Sequence, residues 1–205
     1  MTTVKYYFDY YSPYAYLAST QLPKQDFEVE YCPISVLDVM DIVHNQPTPK
    51  CPAKLAYIMR DTARWAQRYS VPLKMNEQFW SGLQSNVIST RLFIRGALAA
   101  QQLGHFDDYH RGMFDAIWGH PRDVVSEEGR MALLRELGVP AQKLWDLART
   151  KEIDSRLDQR DTEAAAAGIF GVPIFIVDDE MYFGNDRLDL VIQHAARSSN
   201  SQVPA

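Results

Sequence analysis

A proline set directly ahead of an apolar run limits what this chain can fold into more than any other local feature. Pro173 follows Gly171-Val172 and precedes the β-prone run Ile174–Val177. Proline has no N–H to give to a strand ladder, so it belongs at the first residue of a strand or in the loop before it. An X-Pro bond in such a loop is a common cis site, and it exposes the preceding residue's backbone to an extended, peptide-like ligand. After the run, Asp178-Asp179 marks a turn and Glu180–Phe183 returns as an antiparallel partner. Residues 153–167 upstream read as a helix ended by Gly168. A final helix follows Gly184-Asn185-Asp186, with Asn185 or Asp186 as its cap.

The other end of the chain supplies the matching half. Residues 4–8 are β-prone, residues 9–13 carry turn formers, and the apolar run 14–22 reads as a helix. Pro13 suits the first helical turn, where its missing N–H has no intrahelical partner, so Ser12 lies at the helix mouth. Glu28–Pro33 alternates as a second strand, which makes a βαβ unit with parallel strands. From residue 36 to about 150 the period is helical, carried by Leu55, Ile58 and Met59 and later by Met131, Leu134 and Leu137. The order βαβ, helical block, α, ββα is the plan of an α/β thioredoxin-like fold with a large helical insertion. Residues 1–35 and 151–197 are the expected thioredoxin-like domain, 36–150 the inserted helical domain, and 198–205 a flexible tail.

Composition narrows the partners. At 46% hydrophobic and 23% charged, the chain has material for a sizeable core. A net charge of −5 offers no basic field for a phosphate backbone, so nucleic acid is not an expected partner. The most apolar stretch, 164–177, is broken by Gly168, Gly171 and Pro173, which argues against a membrane span. Asp9 interrupts the region where a secretory signal needs an apolar run. Cys32 and Cys51 have no disulfide-framework or metal-ligand spacing, and the expected compartment is the reducing cytoplasm. The five histidines make no i+3 or i+4 pair, so no metal is expected.

Where a disulfide oxidoreductase of this plan holds C-x-x-C, the chain has Ser12-Pro13-Tyr14-Ala15, which excludes dithiol chemistry. Two readings of Ser12 stand. It is an ordinary N-cap, or it is a hydroxyl at a helix mouth whose N–H groups and dipole suit a foreign thiolate. Likewise Asn185 and Asp186 read as caps, Lys54 as a solvated lysine, Asp9 as a buried acid holding a loop, and Asp61 with Arg64 as a helix ion pair.

The run from Phe8 through Asp9-Tyr10-Tyr11-Ser12-Pro13-Tyr14-Ala15 to Ala18 resembles the opening of the 2-hydroxychromene-2-carboxylate isomerases, relatives of the kappa-class glutathione transferases. Three further blocks agree in order. They are Pro52-Ala53-Lys54 with Tyr57, Asp61 and Arg64-Trp65-Ala66; Phe170-Gly171-Val172-Pro173; and Gly184-Asn185-Asp186-Arg187-Leu188. The resemblance implies that Ser12 holds the sulfur of glutathione as thiolate and that the Val172 backbone beside Pro173 pairs with its cysteinyl backbone. It implies that Asn185 and Asp186 receive the γ-glutamyl end, while Asn45 and Lys54 lie near the glycyl end and the substrate carboxylate. Tyr57 belongs to the same substrate side, and Tyr10 and Tyr11 add two phenols to the expected pocket wall.

The implied activity is isomerisation of a small aromatic carboxylate to o-hydroxybenzylidenepyruvate in aromatic-ring breakdown, by a cytoplasmic homodimer. Two rivals remain at this level. One is a kappa-like glutathione transferase or peroxidase. The other is a cysteine-less thioredoxin-like module that holds extended peptides beside Pro173.

Overall fold

A computed structural model describes residues 2–47 and 51–201 of the chain. Strand β1 (Thr3–Phe8) alternates faces: Val4, Tyr6 and Phe8 are buried on one, while Tyr7 packs on the other. It leads through a turn to helix α1 (Pro13–Ser19), and a short 3-10 turn at Leu22–Lys24 precedes β2 (Glu28–Pro33). The block that follows contains α2 (Val36–Ile42), α3 (Pro52–Tyr69), α4 (Glu77–Gln84), α5 (Thr90–Leu103), α6 (Phe106–Phe114), α7 (Glu127–Glu136) and α8 (Ala141–Ala148). Helix α9 (Lys151–Ala166), strands β3 (Ile174–Val177) and β4 (Glu180–Phe183), a 3-10 turn at Asn185–Arg187 and helix α10 (Leu188–Ser201) complete the fold.

The sheet is four-stranded in the order β2-β1-β3-β4. β1 pairs parallel with β2 from Thr3↔Glu28 to Phe8↔Pro33, and antiparallel with β3 at Lys5↔Ile176 and Tyr7↔Ile174. β3 and β4 form a hairpin whose turn residues, Asp178 and Asp179, both have positive φ, as a two-residue hairpin turn requires. Among the described residues no helix is long and apolar enough to cross a membrane.

The helical block does not keep a core to itself. Val4, Tyr6 and Phe8 share one buried cluster with Phe93, Ile94 and Ala97 of α5, Met113 and Phe114 of α6, and Leu144 and Trp145 of α8. Each fully buried side chain of this size contributes about 1.5–3 kcal/mol. On the opposite sheet face, Ile34, Val36 and Val39 meet Ala164 of α9 and Ile174 of β3. Helix α2 therefore packs with α9 as a covering layer of the sheet, although its sequence position puts it in the helical block.

Four details differ from the sequence reading. Helix α9 begins at Lys151 because Thr150 caps it, accepting from the Ile153 N–H at 3.3 Å. Neither Asn185 nor Asp186 caps the last helix, since both lie inside the 3-10 turn that leads into it. Residues 198–201 continue α10 rather than fraying: the Ser198 hydroxyl donates to Asp178 in the β3–β4 turn, and Thr2 Oγ1 lies 2.9 Å from Ser199 Oγ. The remaining tail, 202–205, falls outside the described residues. Leu55 and Met59 are exposed, because α3 buries the face of Thr62 and Ala66 instead.

A buried imidazole joins the sheet to α6. Aromatic rings of Phe8, Phe106, Phe114 and Tyr31 surround His110 at centroid separations of 4.6–5.0 Å. Its Nδ1 is 3.3 Å from the Tyr10 hydroxyl and its Nε2 is 2.9 Å from Ser19 Oγ. Burial penalises the charged ring and pushes its pKa down to about 3. Between about pH 6.5 and 3 an unfolded chain binds a proton here that the folded chain does not, so this contribution to stability is lost as pH falls below about 6.5. The His110 ring C–H resonances are expected to stay at their neutral positions from pH 8 down to about 4. A midpoint near 6.5 in that NMR titration would contradict the buried placement.

Candidate active site

Ser12 caps α1 from an extended backbone, φ −98° and ψ 118°, and Pro13 occupies the first helical position. Its Oγ accepts from the Ala15 N–H at 3.2 Å and donates to the Val172 carbonyl at 3.4 Å. The two roles use different parts of the hydroxyl: the cap needs a lone pair, whereas the O–H is spent on a long, weak contact. That proton can be turned to an anion while the cap is retained. The residue is 9% exposed, so an anion beside it meets helix N–H groups in a largely desolvated setting.

The Val172-Pro173 peptide bond is cis. Gly184 N donates to the Pro173 carbonyl at 2.9 Å, which brings the turn after β4 against the proline loop. Gly184 has φ +102°, a backbone conformation that residues with a Cβ rarely adopt, so the turn calls for glycine. Asn185, next in line, is 2% exposed, and its Nδ2 has no hydrogen-bond partner among the described residues. Its carbonyl accepts from the Tyr69 hydroxyl of α3 at 3.1 Å. The Asp186 carboxylate is open to solvent and pairs with Arg187. Asn45 is exposed and reaches the same loop, donating from Nδ2 to the Phe170 carbonyl at 2.8 Å.

Helix α3 forms another wall. Asp61 accepts from the Tyr14 hydroxyl at 2.9 Å and from the Tyr57 hydroxyl at 3.2 Å, besides lying 3.6 Å from Arg64 Nη1. Burial and then the Asp61 hydrogen bond hold the Tyr14 phenol well above its ordinary pKa. The helix ion pair read from the sequence is present, but it is the lesser part of what Asp61 does. Its link to Tyr14 joins residues 47 apart, which no local spacing reveals. Tyr57 is 59% exposed, and Lys54 is exposed three residues before it, in the first turn of α3.

The two tyrosines expected in a pocket wall part company. Tyr10 is 1% exposed and lies in the main core, its ring 4.7 Å from Phe114, so it belongs to packing and not to a pocket. The strand alternation that buries Tyr6 and Phe8 carries on to Tyr10, and the Trp118 indole N–H fixes its carbonyl at 2.8 Å. Tyr11 is half-buried and points the other way, its ring 5.1 Å from Trp80. Trp80 lies 5.8 Å from Trp118, and its own indole nitrogen is buried with no partner among the described residues. Asn76 places this segment, capping α4 by accepting from the Phe79 N–H at 3.0 Å and donating to the Ala116 and Arg122 carbonyls. The Tyr11–Trp80 contact was not readable from the chain, because aromatic residues in a helix start are ordinary core material.

Neither cysteine stands at the helix mouth. Cys32 is buried in β2, where desolvation and Glu30 push its thiol up to about 12, and Cys51 precedes α3.

A sheet with one helix mouth facing a cis-proline loop, and a serine at that mouth, defines a thioredoxin-fold protein without a dithiol. The DsbA-like thioredoxin domain model matches residues 3–196. A 2-hydroxychromene-2-carboxylate isomerase from Sphingobium xenophagum is 30% identical over 92% of this chain and 95% of its own length. A solved structure of 2-hydroxychromene-2-carboxylate isomerase superposes with a TM-score of 0.84 at 25% identity, covering 99% of this chain and all of that one. Glutathione S-transferase kappa 1 of Rattus norvegicus is 23% identical over 90% of this chain and 87% of its own length. The chain belongs to the DsbA-like thioredoxin family and, within it, to the 2-hydroxychromene-2-carboxylate isomerases; it is an isomerase.

The capping role of Ser12 has a direct measure. Ser12→Ala is expected to lower unfolding stability by about 0.5–2 kcal/mol in urea titration, through loss of the Ala15 N–H acceptor. A loss above about 4 kcal/mol would show a larger structural role than the two hydrogen bonds supply.

Proposed function

We propose that this protein is a glutathione-dependent isomerase acting on a 2-hydroxychromene-2-carboxylate-type aromatic acid, with o-hydroxybenzylidenepyruvate as product. The observation that carries the reading is the Ser12 hydroxyl, lying within hydrogen-bond reach of the Val172 carbonyl at a helix mouth with no cysteine. The names of the relatives support both halves of it, one the substrate class and the other the tripeptide.

The residues present fit glutathione. Asn185 Nδ2 is a buried donor without a partner, suited to a γ-glutamyl carboxylate. Asp186 offers a carboxylate to the α-ammonium in exchange for its present partner Arg187. The Val172 backbone, ahead of the cis bond to Pro173, is assigned to the cysteinyl unit. Asn45 and Lys54 are assigned to the glycyl end and to the substrate carboxylate, where a mobile ammonium suits an anionic acid. Tyr57, oriented by Asp61, and Tyr11, backed by Trp80, are assigned to the aromatic ring.

Held by Ser12, Val172, Asn185 and Asp186, glutathione would supply a nucleophilic thiolate for reversible addition to a conjugated carbon and would be regenerated at the end. Ser12 donates its O–H to the sulfur and keeps it ionised, while its lone pair goes on capping α1. Lys54 holds the carboxylate fixed as the rest of the substrate turns. The reading also carries a cytoplasmic homodimer, supported by two free cysteines and by the family resemblance.

Isomerisation of a hydroxychromene carboxylate is expected to require glutathione and to leave it unconsumed, which separates this activity from transfer. Ser12→Ala is expected to cost on the order of 10²–10³ in kcat, far beyond its effect on stability. Asp186→Ala is expected to weaken glutathione by about tenfold, the lower end for a charge-assisted bond because the carboxylate is solvent-exposed. Full turnover in glutathione-free buffer, or in Ser12→Ala, would sink the mechanism.

A further inference from the structure

The Ser12 turn hangs on a buried carboxylate that the proposed mechanism leaves without a role. Asp9 is 0% exposed. Its Oδ1 accepts from the Tyr11 N–H and its Oδ2 from the Val36 N–H, each at 2.9 Å, and its own carbonyl accepts from the Ser12 N–H at 3.1 Å. One side chain thus closes the turn that carries Ser12 and ties it to the first residue of α2. We propose that Asp9 is a positioning residue of the site: by tying the Tyr11–Ser12 turn to the start of α2, its carboxylate sets where the Ser12 hydroxyl points. This rests on the glutathione-thiolate reading of Ser12.

The chemistry of the group gives the tie a pH dependence. An ionised carboxylate is all acceptor and satisfies both N–H groups, whereas a protonated one turns a donor toward one of them. The charges facing Asp9 come from each element around it. Asp38 stands on α2, Asp161 lies on α9 with Arg91 Nη1 3.8 Å away, and Tyr10 and Tyr11 flank Asp9 on its own turn. Asp161 grips the neighbouring Ser35 N–H at 2.8 Å, so two carboxylates share the start of α2. Burial raises the Asp9 pKa and Asp38 adds to it, while the Tyr11 and Val36 N–H groups pull it back, leaving it at about 7. The ionised form is the one that holds the turn, so turnover rises with pH through this region and falls below it.

The test compares wild type, Asp9→Asn and Val36→Pro, following kcat/KM for a hydroxychromene carboxylate at saturating glutathione from pH 5.5 to 9. Val36 is the first residue of α2 and Ser35 before it is extended, at φ −81° and ψ 96°, so the local backbone accepts proline at the cost of the Val36–Asp9 hydrogen bond. The substitution deletes the donor from α2 and keeps the Tyr11 N–H to the Asp9 carboxylate and the Ser12 N–H to the Asp9 carbonyl. Its acid limb is expected to move to higher pH, since the carboxylate has lost a stabilising N–H. Asp9→Asn is expected to lose on the order of 10² in turnover, as a small misplacement of a catalytic group does, and to lack the part of the acid limb that Asp9 supplies. Ionisation of the glutathione thiol also shapes each profile, so it is titrated separately in each protein by the ultraviolet absorbance of the thiolate, and the difference between profiles that remains is the readout.

A purely structural role for Asp9 would lower melting temperature in both variants and leave the midpoint in place. Should Asp9→Asn fail to fold, the Val36→Pro midpoint decides. Wild-type turnover and midpoint in both variants, with an active wild type, would overturn the positioning role alone. A wild type with no glutathione-dependent turnover would overturn the Ser12 reading and this proposal with it.

Discussion

Central placement of β1 is the constraint on which the other parts of the molecule depend. Because it pairs with β2 on one edge and β3 on the other, neither edge is left to solvent, and its side chains have to serve two layers. Val4, Tyr6 and Phe8 enter the core shared with α5, α6 and α8, while Tyr7 faces the α2 and α9 layer. The strand's last residue delivers the chain straight into the turn that carries Ser12. The buried central strand and the serine at the mouth of α1 are thus four positions apart, which is how a fold holds a site on a packed element.

Replacing a cysteine by a serine at a helix mouth changes what the mouth is for. The orphan N–H groups and the dipole still favour a negative charge, but the chain no longer supplies it. A hydroxyl that caps with its lone pair retains a proton to give, and its long contact to Val172 means that little is lost when that proton is redirected. The cis-proline loop then has an edge to offer a peptide-like ligand in place of a protein disulfide. In the proposed function these same two features serve a thiolate that glutathione brings.

Much of this arrangement was legible in the sequence. β-prone residues placed β1, alternation placed β2, the apolar run after Pro173 placed β3 and the return after the turn placed β4, while the Asp178-Asp179 pair marked the hairpin turn and the proline rules put Ser12 at a helix mouth and Pro173 ahead of a strand. These signals are local, and each reports a backbone preference that survives in the fold. What failed was also local in form. Tyr10 was expected to face a pocket, yet it continues the inward alternation of β1 into the turn. Residues 198–201 read as tail, yet α10 runs on through them, with the Ser198 and Ser199 hydroxyls reaching the β3–β4 turn and Thr2.

The chain by itself determined the periods, the breakers, the absence of a C-x-x-C and the four blocks that mark its family, because those depend only on neighbours in sequence. Tertiary structure alone decided which groups meet. Asp61 reaches Tyr14, Tyr11 meets Trp80, Asp9 bridges Tyr11 and Val36, and the buried Asn185 Nδ2 is left without a partner among the described residues. Each joins parts far apart in the chain or depends on burial made by remote elements. Hydrogen bonds and ring contacts act over a few ångströms of space, and sequence spacing stops reporting on space once the chain leaves a single helix or strand.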